Sequence, residues 1–306
     1  MLARCLGRAP EVYSVTGEGQ FFEHQSFLED KPSPKQIASV ISLVRQSGGD
    51  IPDESRDELR GRMQNVAAGK NRGKTTGRMY ARCMEWLAQR KGATRWAQKA
   101  TSYIFHVDAI LECFPDARLV FLARNPLDLA ASMKRRGGWG AVARMVYGWN
   151  KGVRLALQYA DTQPEGFLVV RYEQFVEESR QKMADICGFC DLPFRESYLD
   201  IPHVNRSESP YDQSSPTEGI SSSRLGYYRR VLSDTETGAV RALVDDRLMD
   251  ALYPEHFLDA GASLSARSYA VGLALYGGVR VVTDHARTLM RDPRHTIQRI
   301  QKRLLA

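Results

Sequence analysis

The chain has 306 residues, 43% apolar and 26% charged, which is enough to bury a sizeable core and excludes a low-complexity or repeat polymer. Its 43 Lys and Arg against 36 Asp and Glu give +7, a charge that suits an anionic cosubstrate, a nucleic acid or an acidic membrane surface without choosing among them. No signal peptide or run of 18 apolar residues points to secretion or spanning, and five cysteines, an odd number, point to a reducing compartment, so a cytoplasmic location is expected.

In chain order, Glu11 to Val15 reads as a strand, and Gly17-Glu18 follows at its carboxyl end, where open α/β sheets bind their ligands. Glu18 is therefore a candidate base, with a solvated turn carboxylate as the plain alternative. Residues 50–95 read as a charged helical insertion, with Gly69 to Gly77 as an exposed basic loop. That loop ends like a nucleotide-binding glycine loop, but it has three residues between its glycines where that motif needs four, and no apolar strand precedes it. Thr94 to Trp96 is a second short strand, and Lys99 follows it.

Leu119 to Leu122 is an apolar run behind the Pro115-Asp116 turn, as expected of a parallel strand covered on both faces. Asn125-Pro126 then opens a helix with an N-cap and a proline. Arg124 sits at the end of this third strand. Ser132 and Arg136 share one face of the helix at i, i+4, near a terminus that favours negative charge. Taken alone, this segment fits an anion site or a strand-end arginine before a solvated helix.

Phe167 to Val170 is a fourth strand, ending beside Tyr172. Met183, Ile186, Cys187 and Cys190 fall at helical spacing and read as a core stripe; one Cys pair supplies only two of the four ligands a structural zinc needs. The six histidines show no ligand spacing, so no metal is expected. Residues 200–223 read as a loop without periodicity, followed by the basic stretch Arg224-Leu-Gly226-Tyr-Tyr-Arg-Arg230. Beyond Pro254 the chain becomes a basic amphipathic tail that either lies on a membrane surface or packs on the domain. Strands separated by helical stretches imply a doubly wound parallel α/β sheet, divided as 1–254 with the 50–95 insertion and a helical extension at 255–306.

Arg124, Ser132 and Arg136 in a strand-turn-helix setting resemble the 3′-phosphate-binding segment of sulfotransferases that use 3′-phosphoadenosine-5′-phosphosulfate (PAPS). Trp96-Ala-Gln-Lys99 resembles the lysine segment before that strand in bacterial and tyrosylprotein sulfotransferases. Phe167-Leu-Val-Val-Arg-Tyr172-Glu and Ile186-Cys-Gly-Phe-Cys-Asp-Leu-Pro-Phe194 are similar to the next family strand and the tail after it, and Ser221 to Ser233 to the late loop that closes over the nucleotide. Met1 to Glu18 resembles the piece that follows the family's first strand and Pro-Arg-Ser-Gly-Thr loop. That loop is not among these residues, and a start assigned too far downstream is the simplest reading. Without it, the P-loop NTPase-like sheet would lack a central strand and expose strand edges.

The resemblance implies a PAPS-dependent sulfotransferase acting on a hydroxyl of a carbohydrate, peptide tyrosine or small metabolite, with no nucleic acid partner. It implies Glu18 as base, Lys99 at the bridging oxygen, and Arg124, Ser132 and Arg136 on the 3′-phosphate. Tyr172 would face the adenine, and Arg224 and Gly226 would belong to the closing loop. A catalytically inactive nucleotide-binding or scaffold protein is the alternative.

Overall fold

The computed structural model describes residues 1–25, 28, 32–64, 66, 74–201, 219–254 and 263–291. All four expected strands are present. Helix α1 (Leu2–Leu6) leads by a tight turn into β1 (Val12–Glu18), then α2 (Phe21–His24), α3 (Pro34–Gln46), α4 (Arg56–Gln64), α5 (Lys74–Arg90) and β2 (Arg95–Lys99). After α6 (Val107–Cys113) come β3 (Leu119–Ala123), α7 (Pro126–Thr162), β4 (Phe167–Arg171), α8 (Tyr172–Glu177) and α9 (Ser179–Phe189). The chain continues through α10 (Asp234–Leu243), α11 (Asp246–Leu252) and α12 (Leu264–Arg291).

This is an α/β fold with parallel strand pairing: β1 runs parallel to β2, and β3 pairs with β4. Among the described residues the strands pair two by two. Leu119 to Leu122 are accordingly half-buried, where burial on both faces was expected, because β3 is hydrogen-bonded on one edge only; Ala123 alone of that strand is fully buried.

The chain divides into two compact units, which the strands β3 and β4 enter in turn: residues 1–121, 160–168 and 174–221, and residues 122–159, 169–173 and 222–306. The core of the first unit is built on α3, α4 and α5. Ser33 caps α3 by accepting from the Gln36 N–H at 3.3 Å, Pro34 takes the first turn, and Ile37, Val40, Ile41 and Val44 then recur at helical spacing on its buried face. Helix α5 answers with Met79, Tyr80, Cys83, Met84 and Leu87, and α4 adds Leu59 and Met63. The charged segment 50–95 is thus built into the core of this unit.

The expected exposed loop at Gly69 to Gly77 is corrected at its carboxyl end. Helix α5 starts at Lys74, and Thr75 and Thr76 are fully buried, because Gly77 must approach α6 closely: a Cβ there would lie 2.5 Å from Cys113 Sγ. Residues 67–73 lie outside the described residues. An aromatic cluster closes the same core, with Phe21 stacked on Tyr80 at 4.2 Å and Trp96 edge-on to Tyr80 at 5.7 Å. Met183, Ile186, Cys187 and Cys190 are all buried, as the spacing of the stripe implied.

In the second unit α7 carries a break. Gly138 takes φ 66° and ψ −170°, a left-handed backbone that an L side chain rarely adopts, so the element is two helices joined at a glycine. Helices α10 and α12 pack through small residues: a Cβ on Gly238 would sit 2.7 Å from that of Ala266. Helix α10 opens with a capping box, in which Ser233 accepts from Glu236 N at 3.3 Å and Glu236 accepts from Ser233 N at 2.8 Å. Glu236 also receives Lys134 of α7 at 2.8 Å. Burial pushes the Glu236 carboxyl up, but these donors outweigh it and hold the group below its usual range.

The tightest backbone approach is at Gly17, where a Cβ would run into the Ser47 carbonyl oxygen at the end of α3. Gly17→Ala is expected to destabilise the protein by about 1–3 kcal/mol, because the collision is with backbone that cannot rotate away. Equilibrium urea unfolding, compared with an Ala substitution at the unobstructed Gly61, measures the difference.

Candidate functional site

The first cluster arises from an irregularity in β1. Val12 to Val15 pair in register with Arg95 to Gln98, but the next ladder partners are Glu18 and Lys99. Thr16 and Gly17 are therefore extra residues on β1, a bulge that places Glu18 beside Lys99 at the carboxyl ends of two parallel strands. Gln98 Nε2 donates to the Gly17 carbonyl at 3.2 Å, and Gly19 N donates to the Lys99 carbonyl at 2.8 Å, so the bulge is fixed on both sides.

Lys99 Nζ donates to Glu18 Oε2, and the Thr101 backbone N–H donates to Glu18 Oε1. Partial burial pushes the Glu18 carboxyl up, yet the Lys99 and Thr101 hydrogen bonds outweigh it and hold the group below the ordinary glutamate range. Glu18 is consequently ionised at neutral pH, with an ammonium in direct contact. Both side chains keep substantial exposure, 40% for Glu18 and 50% for Lys99. On the following turn, Ser102 Oγ donates to Glu23.

The second cluster lies in the other unit, where the β3 strand end meets α7. The Arg124 guanidinium lies over the Tyr172 ring at 4.6 Å and donates to the Arg224 carbonyl at 3.2 Å, while its own carbonyl accepts from Trp149 Nε1 at 2.9 Å. Among the described residues, Arg124 Nε is buried with no hydrogen-bond partner. Arg124, Tyr172 and Arg224 are thereby brought together from positions far apart in sequence. Burial raises the Tyr172 phenol, with Arg124 pulling it partly back. Ser132 is half-buried further along α7. Arg136 falls on the same helix, but its side chain lies outside the described residues.

Two buried carboxylates hold this cluster, and sequence reading gave neither of them a role. Asp128, in the first turn of α7 and 2% exposed, accepts from Gly226 N at 3.0 Å and Tyr228 N at 2.9 Å. Gly226 itself adopts φ 63°, and its missing Cβ would touch nothing, so the left-handed turn is what calls for glycine there. Arg224 lies over the Tyr227 ring at 4.8 Å, and Arg135 donates to the Tyr227 hydroxyl at 2.7 Å. Glu173 accepts from Asn125 N at 2.9 Å and from the Tyr253 hydroxyl at 3.0 Å. Burial and that carboxylate push the Tyr253 phenol far up, so it stays a donor. Asn125 caps α7 as its sequence implied, accepting from Leu127 N at 2.9 Å. An acidic residue two places into a proline-started helix, opposite a glycine-containing basic loop, was the one available signal for Asp128.

Among the described residues no group of three or more His, Cys, Asp or Glu is arranged to hold a metal ion, and no helix is long and apolar enough to cross a membrane. Most of residues 200–223, expected as a loop, lie outside the described residues.

With a bulge-placed Glu–Lys pair and a strand-end arginine stacked on tyrosine in hand, the chain is recognised by class: residues 2–196 match the model of the sulfotransferase family. The match covers well over half of the chain, and the protein belongs to that family. It spans Glu18, Lys99, Arg124, Ser132, Arg136 and Tyr172 and stops before Arg224 and Gly226. Solved structures similar to the chain include the sulfotransferase domain of the Synechococcus PCC 7002 olefin synthase, at 17% identity and TM-score 0.47, with 89% of each chain covered. The sulfotransferase domain of the curacin biosynthetic pathway follows at 14% identity and TM-score 0.46, covering 89% of this chain and 92% of its own. Sulfotransferase STF9 of Mycobacterium avium aligns at 15% identity and TM-score 0.38 over 64% of this chain and 62% of its own. No curated protein matches it.

Two outcomes test this geometry. Because Lys99 helps to depress the Glu18 pKa, the ion pair adds stability above the unfolded glutamate value of 4.5, which is lost as pH falls through the lower folded value. Lys99→Met is expected to raise the folded value, so acid unfolding followed by circular dichroism should begin at a higher pH than in wild type. Asp128→Ala is expected to leave the Gly226 and Tyr228 N–H groups unpaired, at about 1–3 kcal/mol of local stability. Hydrogen exchange at those two amides should then accelerate by roughly 10–100-fold.

Proposed function

We propose that this sulfotransferase-family chain transfers a sulfuryl group from PAPS to a hydroxyl acceptor. The observation that carries the reading is the Glu18–Lys99 pair at the carboxyl ends of β1 and β2, an ionised carboxylate beside an ammonium. In-line transfer needs both charges. The acceptor O–H gives its proton to Glu18 as the acceptor oxygen forms its bond to sulfur. The bond from sulfur to the 5′-phosphate oxygen breaks, and the electron pair stays on the nucleotide, released as 3′,5′-adenosine diphosphate. Lys99 offsets the charge that grows on that leaving oxygen, for which an ammonium serves as a compact point charge. Phosphoryl transfer follows the same logic of positioning and charge stabilisation.

Lys99 therefore has two duties. In the free protein it keeps Glu18 ionised, and with donor bound it turns to the leaving oxygen, which frees the Glu18 lone pair for the acceptor proton. Arg124 fits the 3′-phosphate because its guanidinium is already oriented by Tyr172 and the Arg224 carbonyl, and its buried Nε still has a hydrogen to donate. Ser132 and Arg136 are assigned to the same phosphate, Tyr172 to the adenine side, and Arg224 and Gly226 to the closing loop that Asp128 anchors. The acceptor belongs to the hydroxyl class, whether carbohydrate, peptide tyrosine or small metabolite.

Nucleotide selectivity tests the donor. Saturating 3′,5′-adenosine diphosphate, at about 100 times its dissociation constant, should stabilise the protein by about 2.7 kcal/mol in a thermal titration. 5′-AMP should do markedly less, and Arg124→Ala should abolish the difference. Equal stabilisation by both nucleotides would remove the 3′-phosphate assignment.

A further inference from the structure

Helix α12 is apolar on two opposite sides, and among the described residues only one of them is packed. Ala266, Ala270, Leu273 and Gly277 form its buried stripe against α10 and Ala143 of α7. Leu264, Val271, Leu275, Val279 and Val282 recur at intervals of seven, four, four and three residues, which puts them on the diametrically opposite side of the helix. All five are open to solvent, Leu275 at 67% and Val282 at 68%. Tyr276, 54% exposed, stands on the flank between the two stripes. A continuous row of this kind is far from the scattered single apolar residues normal on a protein surface.

Charge selects the occupant. Residues 264–306 hold eight Arg and Lys against two Asp, so +6 of the chain's +7 resides in this last part of the sequence. A second copy of the same segment would bring like charge against like charge, whereas an anionic bilayer offers both a counter-charge and an apolar interior. A helix with an exposed apolar row, flanking tyrosine and excess arginine lies in the plane of a lipid interface. Spanning is excluded for it, since among the described residues no helix is long and apolar enough to cross.

We propose that α12 docks the protein on an anionic phospholipid surface, inserting Leu264, Val271, Leu275, Val279 and Val282 into the headgroup and acyl boundary while its buried stripe stays packed on α10. The docking uses no residue of the transfer chemistry.

Vesicle flotation tests it. The whole chain should float with vesicles of phosphatidylcholine and phosphatidylserine and stay behind with phosphatidylcholine alone. Binding should collapse at about 1 M salt, where the screening length falls to about 3 Å. Leu275→Glu/Val282→Glu replaces two exposed side chains, so its melting temperature and its circular dichroism should match wild type, while its partition to anionic vesicles should fall by roughly tenfold or more. Undiminished flotation of that variant would overturn the proposal. So would a wild type that floats with neither vesicle, or one that sediments as a dimer which the double substitution splits, since the face would then belong to a second copy.

Discussion

Two extra residues in one strand decide that a carboxylate and an ammonium stand side by side at the carboxyl ends of β1 and β2. Were β1 and β2 paired in regular register, Thr16 would stand opposite Lys99 and Glu18 would lie beyond the end of the ladder. The bulge moves Glu18 back onto Lys99, and it exists because Gly17 fits against the Ser47 carbonyl at the end of α3. Helix α3 is itself fixed by its Ser33 cap and by the apolar stripe it shares with α5. The Glu18–Lys99 pair is therefore a product of core packing, and the lowered Glu18 pKa is a product of the pair. A carboxylate partly removed from water would otherwise drift toward protonation, but the Lys99 and Thr101 donors reverse that drift.

The second unit solves a different problem with the same means. Its basic groups are held in place by buried carboxylates. Asp128 takes the Gly226 and Tyr228 amides of the Arg224–Arg230 segment, and Glu173 joins the start of α7 to Tyr253. Neither carboxylate is placed to react. Each replaces water around backbone donors that would be costly to bury unpaired. Arg124 is left with its fork oriented by an aromatic ring and a carbonyl, an arrangement that leaves the guanidinium little side-chain freedom.

Much of this was legible in the sequence because it is local. The four strands, the Asn125 cap and the Cys187 stripe are written in short patterns of apolar spacing and turn chemistry, which also place Glu18 and Arg124 at strand ends, whereas Lys99 is marked only by its resemblance to the family's lysine segment. What was not legible depends on long-range packing. Residues 50–95 read as a charged helical insertion, and the Leu59, Met63, Met79 and Met84 stripe on the other side of those helices, which packs into the core, was not singled out. The apolar run of β3 promised a strand covered on both faces, and its partial exposure follows from a neighbour on one edge only. Asp128 and Glu173 escaped because an acidic residue in a helical first turn is common, and nothing local tells which backbone amides it will meet.

The measurement that reaches the centre of this account is sulfuryl transfer from labelled PAPS to a set of carbohydrate, tyrosyl-peptide and small-metabolite hydroxyl acceptors by the wild-type protein and Glu18→Gln side by side, with nucleotide binding followed on the same samples. If the bulge-placed carboxylate takes the acceptor proton, the amide variant should bind 3′,5′-adenosine diphosphate as wild type does and transfer roughly 10²–10⁴-fold more slowly. Equal rates in the two proteins, or a wild type that binds the nucleotide and transfers nothing, would contradict it.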